Sequence, residues 1–180
     1  MGISFNADEI FEIAEQIERN GTKFYVKAAS GMKDARVEKI FEDLAKMEER
    51  HLATFQAMRK ELLPGDKTPT VFDPDGQGAL YLQALADARI FDVSVDPSKK
   101  LTGSQTPAEI LRMAIGLEKD SVAFYVGMRD MVPGGLGKDK VEKIIGEEMG
   151  HVTILGRELL RAYPNSHRGG DARRYKQRKE

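Results

Sequence analysis

The sequence contains no cysteine among its 180 residues. Disulfides, thiolate metal sites, iron–sulfur clusters and cysteine nucleophiles are therefore excluded. A charge excess of one sign is also lacking, because 28 lysines and arginines face 29 aspartates and glutamates, for a net charge of −1. Such a chain has no global field that would gather nucleic acid or anionic membrane. We expect neither a membrane nor a nucleic acid as a partner.

The N-terminal segment from Met1 to Asn6 lacks the basic and apolar regions of a secretory signal. Asn6 also departs from the myristoylation pattern. We therefore expect a cytoplasmic protein. The length suits one domain with a full hydrophobic core.

Against these absences stands one polar pattern that occurs twice, 100 residues apart. The first copy is Glu18 followed by Glu48 and His51. In the second copy every member is repeated in register, and the six candidate metal ligands are therefore Glu18, Glu48, His51, Glu118, Glu148 and His151.

Capping signals and apolar periodicity predict four long helices. Asn6 with Glu9 and Thr106 with Glu109 each match a capping box, and Pro107 suits a first helical position. Apolar residues at helical spacing follow each start. The predicted helices span about residues 7–30, 35–63, 107–131 and 138–162.

The candidate ligands fall on the apolar faces of these helices. Glu18 interrupts the stripe formed by Ala14, Gly21 and Tyr25, so its carboxylate must point inward with them. On the second helix Glu48 and His51 occupy consecutive core positions. Glu18 and Glu48 are equidistant from the turn near residue 33, so they reach the same height in an antiparallel hairpin. The second half repeats this arrangement around residue 133.

Between the hairpins, residues 64–105 are rich in turns and contain one predicted short helix near residues 78–91. Two hairpins with a long connection predict an all-α, four-helix bundle with one crossover. We assign residues 1–165 to the bundle and 166–180 to a basic, flexible tail. Asp73 and Asp75 before Gly76 faintly resemble a calcium loop, but an ordinary turn is the favoured interpretation.

Four glutamates in a bundle core need a physical reason, because unpaired buried carboxylates are costly and repel one another. Two divalent cations would balance the four negative charges and leave neutral imidazoles as further ligands. Oxygen and nitrogen donors without sulfur suit iron or manganese, with zinc as an alternative.

Over both hairpins, about residues 6–162 without the crossover, this constellation resembles the ferritin-like di-iron carboxylate proteins, and most of all the rubrerythrin branch, here without a rubredoxin domain. The resemblance implies a ferritin-like bundle that binds two iron ions through the six candidate ligands, with Glu48 and Glu148 bridging. Tyr25 and Tyr125, each seven residues after a glutamate, resemble the tyrosines that hydrogen-bond to ligating carboxylates in that family.

The resemblance also carries a functional expectation, with two departures. Rubrerythrins typically have a further glutamate at the position that Ser121 occupies here. The matching position on the first helix of this chain is Gly21. That glutamate is associated with peroxide chemistry in the family, and without it the six-ligand set is closer to a symmetric bacterioferritin-type site. Without a cysteine-bearing module, electrons must come from a separate protein. We expect an oxidase, peroxidase or ferroxidase that reacts with O₂ or H₂O₂, is active in oxidative stress and forms a homodimer.

Several alternatives accompany this prediction. The chain could store or deliver iron without turnover, or it could be a structural bundle that keeps a metal for stability or has lost it. Tyr25 and Tyr125 could be ordinary core tyrosines. Glu147 could contact a ligating histidine, but a helix-surface position is favoured because its counterpart is Met47. For the basic tail, which includes His167, a solvated segment is favoured over a binding surface.

Overall fold

The computed structural model describes residues 6–67, 80, 81, 84, 94–132 and 135–162. Its long helices are α1 (Ala7–Ser30), α2 (Ala35–Lys60), α3 (Pro107–Arg129) and α4 (Lys138–Ala162), with short 3₁₀ turns at Pro64–Lys67 and Pro97–Lys100. No strand occurs within these described ranges. The prediction of an all-α fold with four long helices is confirmed.

The helix starts follow from their capping residues. The Asn6 side chain accepts from the Glu9 amide at 3.0 Å, and the Glu9 carboxylate accepts from the Asn6 amide at 3.0 Å. Thr106 and Glu109 make the same reciprocal pair at the start of α3. Amides that have no partner inside the helix are thereby satisfied. Both predicted capping boxes are confirmed.

Two helices end earlier than the apolar periodicity predicts. Helix α2 stops at Lys60 rather than near residue 63, and α3 stops at Arg129 rather than near residue 131. Each end lies four residues before a proline, Pro64 or Pro133. A proline lacks the amide hydrogen that bonds the carbonyl four residues earlier, and its ring clashes with that carbonyl. The prolines therefore limit how far each helix can extend.

The core consists of two apolar layers, one toward each end of the bundle. One layer joins the first half of α1 and of α4 to the second half of α2 and of α3, whereas the other layer joins the remaining halves. Helix α1 is therefore antiparallel to α2 and α3 and parallel to α4. Representative buried residues are Ile10, Phe11, Phe55, Met58, Phe124 and Val141 in the first layer and Phe24, Phe41, Leu44, Leu111 and Leu155 in the second.

The described part of the crossover lies against the bundle. Leu80, Tyr81 and Ala84 are helical, and the Tyr81 hydroxyl donates to the Ala123 carbonyl at 3.1 Å. The rest of the predicted short helix, the turn around Asp73 and the basic tail lie outside the described residues. None of the described helices is long and apolar enough to span a membrane.

Candidate metal centre

Six polar side chains lie between the two apolar layers, and all four long helices contribute to the set. Helices α1 and α3 each contribute one glutamate, and α2 and α4 each contribute a glutamate and a histidine. Every one of these side chains is buried, with relative exposures of 0% to 3%. The structure therefore brings together all the predicted ligands, which are Glu18, Glu48, His51, Glu118, Glu148 and His151.

Their ligand atoms form two overlapping groups. The first contains Glu18, Glu48, His51 and Glu148, and the second replaces Glu18 and His51 with Glu118 and His151. Within each group one ligand atom per residue lies within 4.8 Å of the others. Glu48 and Glu148 belong to both groups. This sharing is what two adjacent metal positions need, and it matches the bridging roles that the resemblance implies.

Glu148 lies between the two imidazoles. His51 Nδ1 is 2.9 Å from one carboxylate oxygen of Glu148, and His151 Nδ1 is 2.9 Å from the other. The two imidazole rings are nearly parallel, with centroids 5.8 Å apart and an interplanar angle of 20°. One carboxylate thus faces the same nitrogen of both rings.

Several buried atoms of this cluster lack hydrogen-bond partners. They include Glu18 Oε2, Glu48 Oε1, Glu148 Oε1 and His51 Nδ1. His51 Nδ1 lies 3.7 Å from Glu18 Oε2 and 2.9 Å from Glu148 Oε1, without making a hydrogen bond to either. Unsatisfied buried polar atoms are rare and costly. Because a cation would use these lone pairs, the carboxylate and histidine cluster fits metal binding.

Comparison with known proteins identifies the fold that holds this cluster. A family model for rubrerythrin matches residues 3–59. A Thermotoga maritima protein of known structure, proposed to be a ferritin-like diiron-carboxylate protein, superposes with a TM-score of 0.69. It is 24% identical, and the match covers 91% of this chain and 97% of the other. The chain has a ferritin-like fold. No curated protein matches it.

The rubrerythrin match covers α1 and nearly all of α2, and hence the first ligand set of the ferritin-like bundle. The resemblance predicted from the repeated motif is confirmed at this level. The second ligand set lies beyond the matched residues, and it is related to the first through the internal repeat and the geometry of the cluster.

Tyr25 and Tyr125 cross-link the two hairpins. The Tyr25 hydroxyl on α1 donates to Glu118 Oε1 on α3, and the Tyr125 hydroxyl on α3 donates to Glu18 Oε1 on α1. Both tyrosines are buried. The predicted bonds to candidate ligands are present, and each partner lies on the opposite hairpin. Each tyrosine hydroxyl binds the Oε1 atom of one glutamate. The Oε2 atoms of Glu18 and Glu118 face the histidines.

We expect Tyr25→Phe and Tyr125→Phe each to lower the free energy of unfolding by about 1–3 kcal/mol, because a buried carboxylate oxygen loses its donor. Urea denaturation of the apo protein measures this effect. The symmetry of the two bonds predicts similar values for both variants. Tyr81→Phe, which removes an exposed hydroxyl bond, is the control. Unchanged stability in both core variants would contradict the role assigned to these bonds.

Glu147 also reaches the cluster, which corrects the prediction of a helix-surface position. Its Oε2 lies 2.7 Å from His51 Nε2 on the opposite hairpin. The side chain is 36% exposed, so it covers the outer edge of the site. The sequence signal that could have found this contact is a glutamate directly before a core-facing ligand on α4.

Gly21 leaves space for a candidate bridging ligand. A Cβ at this position would lie 2.9 Å from Glu48 Oε2 and 3.2 Å from Glu48 Cδ. The Gly21 backbone is therefore packed closely against the Glu48 carboxylate. At the counterpart position, the Ser121 hydroxyl donates to the Leu117 carbonyl at 3.1 Å.

We expect Gly21→Ala to displace the Glu48 carboxylate and to weaken metal binding at least about tenfold, since orientation of the ligands governs affinity. Gly116→Ala is the matched control, because a Cβ there meets nothing within 4 Å and alanine favours the helix. Isothermal titration with a divalent cation measures both variants. Equal affinities would show that Glu48 needs no such clearance.

Without a metal, three of the four buried glutamates favour their protonated form. Burial raises the pKa of Glu18 and Glu118 to about 8, from an ordinary value of 4.5. The pKa of Glu48 is raised well above its ordinary range by burial and by the neighbouring Glu18 carboxylate. Burial also opposes ionisation of Glu148, but its contacts with Glu118 and with both histidines hold its pKa below the ordinary range.

The histidines are also shifted toward their charged form. Burial disfavours the imidazolium of His51, but contact with Glu148 outweighs it and raises the pKa to about 9. Burial likewise opposes protonation of His151, and the carboxylates of Glu118 and Glu148 raise its pKa to about 10. Metal ligands must be deprotonated, so metal binding at neutral pH has to displace protons from both residue types.

Proposed function

We propose that this ferritin-like chain is a non-haem di-iron protein that reduces O₂ or H₂O₂ with electrons from a separate donor protein. The observation that carries this proposal is the pair of ligand groups that share Glu48 and Glu148. The resemblance to rubrerythrins favours iron, and the oxygen and nitrogen donors are compatible with it. A bound di-iron pair would supply two electrons, which with two protons convert H₂O₂ to two molecules of water.

The residues of the chain would bind and balance the metal pair. Four carboxylates carry the negative charge that stabilises the oxidised metals, and the imidazoles add neutral donors. The hydroxyls of Tyr25 and Tyr125 fix one oxygen of each terminal glutamate. The ligands are at most 3% exposed, so the site admits only small molecules.

Anaerobic mixing of the ferrous-loaded protein with H₂O₂ tests the proposal. We expect two Fe²⁺ to be oxidised per H₂O₂ consumed, with a rise in near-ultraviolet absorbance. Failure to consume peroxide, together with unchanged iron on exposure to O₂, would remove the redox function. Iron loading far above two per chain, in a large particle by light scattering, would instead identify storage.

A chelation experiment distinguishes the structural alternative. If removal of metal lowers the melting temperature while the loaded protein shows no redox cycling, the metal serves stability alone. If the loaded protein turns over with an artificial electron donor, the di-iron pair serves chemistry.

A further inference from the structure

The two halves of the ferritin-like site differ at one position that faces a histidine. Glu147 precedes Glu148 on α4, and the counterpart position on α2 is Met47. Both side chains are half-buried. The three candidate ligands of one half recur in the other half, so the ligand set itself is symmetric. Glu147 and Met47 make the surroundings of that set different in the two halves.

The difference alters the surroundings of the two imidazoles. His51 Nδ1 faces Glu18 and Glu148, while its Nε2 lies 2.7 Å from Glu147 Oε2. With Nδ1 free for a metal, Nε2 must carry the hydrogen and donate it to Glu147. The other oxygen of Glu147 lies 3.7 Å from Lys143 Nζ, which helps to hold the carboxylate in place.

His151 has no such support. Its Nδ1 lies 2.9 Å from Glu148 and 3.4 Å from Glu118, so this nitrogen also faces the cluster. Its Nε2 is buried and lacks a hydrogen-bond partner, and the ring is only 1% exposed. When Nδ1 binds a metal, Nε2 must carry a hydrogen that no acceptor in the described residues receives.

A carboxylate that accepts from a metal-bound histidine orients the ring and increases its basicity, and loss of such a partner typically costs 10–100-fold in metal affinity. We propose that Glu147 is a positioning residue that makes the two metal positions unequal, so that the ion held by His51 binds first and more tightly than the ion held by His151. This inference rests on the metal binding in the proposed function.

Anaerobic titration of the full-length apo protein with Co²⁺, followed by calorimetry and visible absorbance, tests the inequality. We expect two separable steps in the wild type. Glu147→Met, which copies the residue at position 47, should weaken the first step by about 10–100-fold and bring the two steps together. Glu147→Gln, which retains size and shape, should weaken it less. Met47→Glu should strengthen the second step by supplying an acceptor for His151.

Glu49→Gln is the matched charge control, because Glu49 is exposed and adjoins Glu48 as Glu147 adjoins Glu148. It should leave both steps unchanged. An independent readout is the Nε2 hydrogen of His51 in long-range ¹H–¹⁵N spectra of zinc-loaded protein. We expect it to be protected from exchange in the wild type and to lose that protection in Glu147→Met.

The outcomes separate the two claims. Two equal steps that Glu147→Met leaves unaltered, with an unprotected His51 hydrogen, would overturn the positioning role while leaving the di-metal site intact. If the wild type binds no Co²⁺ and no other divalent cation, the proposed function and this inference both fall.

Discussion

Replacing Glu148 with glutamine should abolish binding at both metal positions, so that the protein retains well under one ion per chain. Glu148 belongs to both ligand groups, and its two oxygens lie 2.9 Å from His51 Nδ1 and from His151 Nδ1. The amide keeps the volume of the side chain but removes a negative charge and replaces one acceptor oxygen with a donor. Elemental analysis of protein reconstituted with ferrous iron measures the loss.

Glu118→Gln is the matched comparison, because Glu118 belongs to only one of the two groups. We expect it to retain about one ion per chain, held by the group that contains His51. Glu49→Gln, on an exposed position beside Glu48, should retain two. Two tightly bound ions in Glu148→Gln would show that this residue does not bridge. Complete metal loss in Glu118→Gln would show that the positions are filled only together.

The contrast between these variants arises because Glu148 belongs to both ligand groups. The sequence predicts part of that arrangement. Repetition at 100 residues, together with core-facing glutamates equidistant from each turn, places Glu48 and Glu148 at the centre of two hairpins. Helical periodicity fixes the direction in which each side chain points. The shared membership of both groups, however, depends on how one hairpin packs against the other.

The contacts between hairpins are what the sequence left undetermined. Tyr25 follows Glu18 by seven residues on one helix face, yet its hydroxyl bonds Glu118 across the bundle. Glu147 could be placed on α4 but not against His51, because a small rotation of the helix would turn it to solvent. Periodicity describes a single helix, and it carries no information on the height or rotation of its neighbours.

The early ends of α2 and α3 have a different cause. The apolar pattern continues through Leu62 and Met131, which are buried, so periodicity alone extends both helices too far. Pro64 and Pro133 indicate in the sequence that each helix ends before them, but this rule does not specify the last helical residue. Local backbone chemistry therefore takes precedence over the apolar pattern at these ends.

The same buried cluster should make the apo protein less stable as the pH rises from about 5 to about 9. For Glu18 and Glu118 the folded pKa is about 8, above the ordinary 4.5, so the folded state holds extra protons between these values. Their contribution to stability is complete below pH 4.5 and is lost as the pH rises through about 8. For His51 the contribution is complete below pH 6.5 and is lost through about pH 9. Glu148 acts oppositely, but its lowered pKa lies on the acid side of this window.

Metal loading should reverse the slope, because protons compete with cations for the same ligands and binding strengthens as the pH rises. We expect the melting temperature of apo protein to fall by on the order of 10 °C between about pH 6 and about pH 8.5, which corresponds to a few kcal/mol for a chain of this size. The zinc-loaded protein should gain stability over the same range. Differential scanning calorimetry of both forms provides the test.

Glu18→Gln, which cannot titrate, should flatten the dependence of apo stability on pH, whereas Glu49→Gln should leave it unchanged. A melting temperature of apo protein that rises across this range would mean that the buried carboxylates are already ionised without a metal, and that the protein itself stabilises their charge.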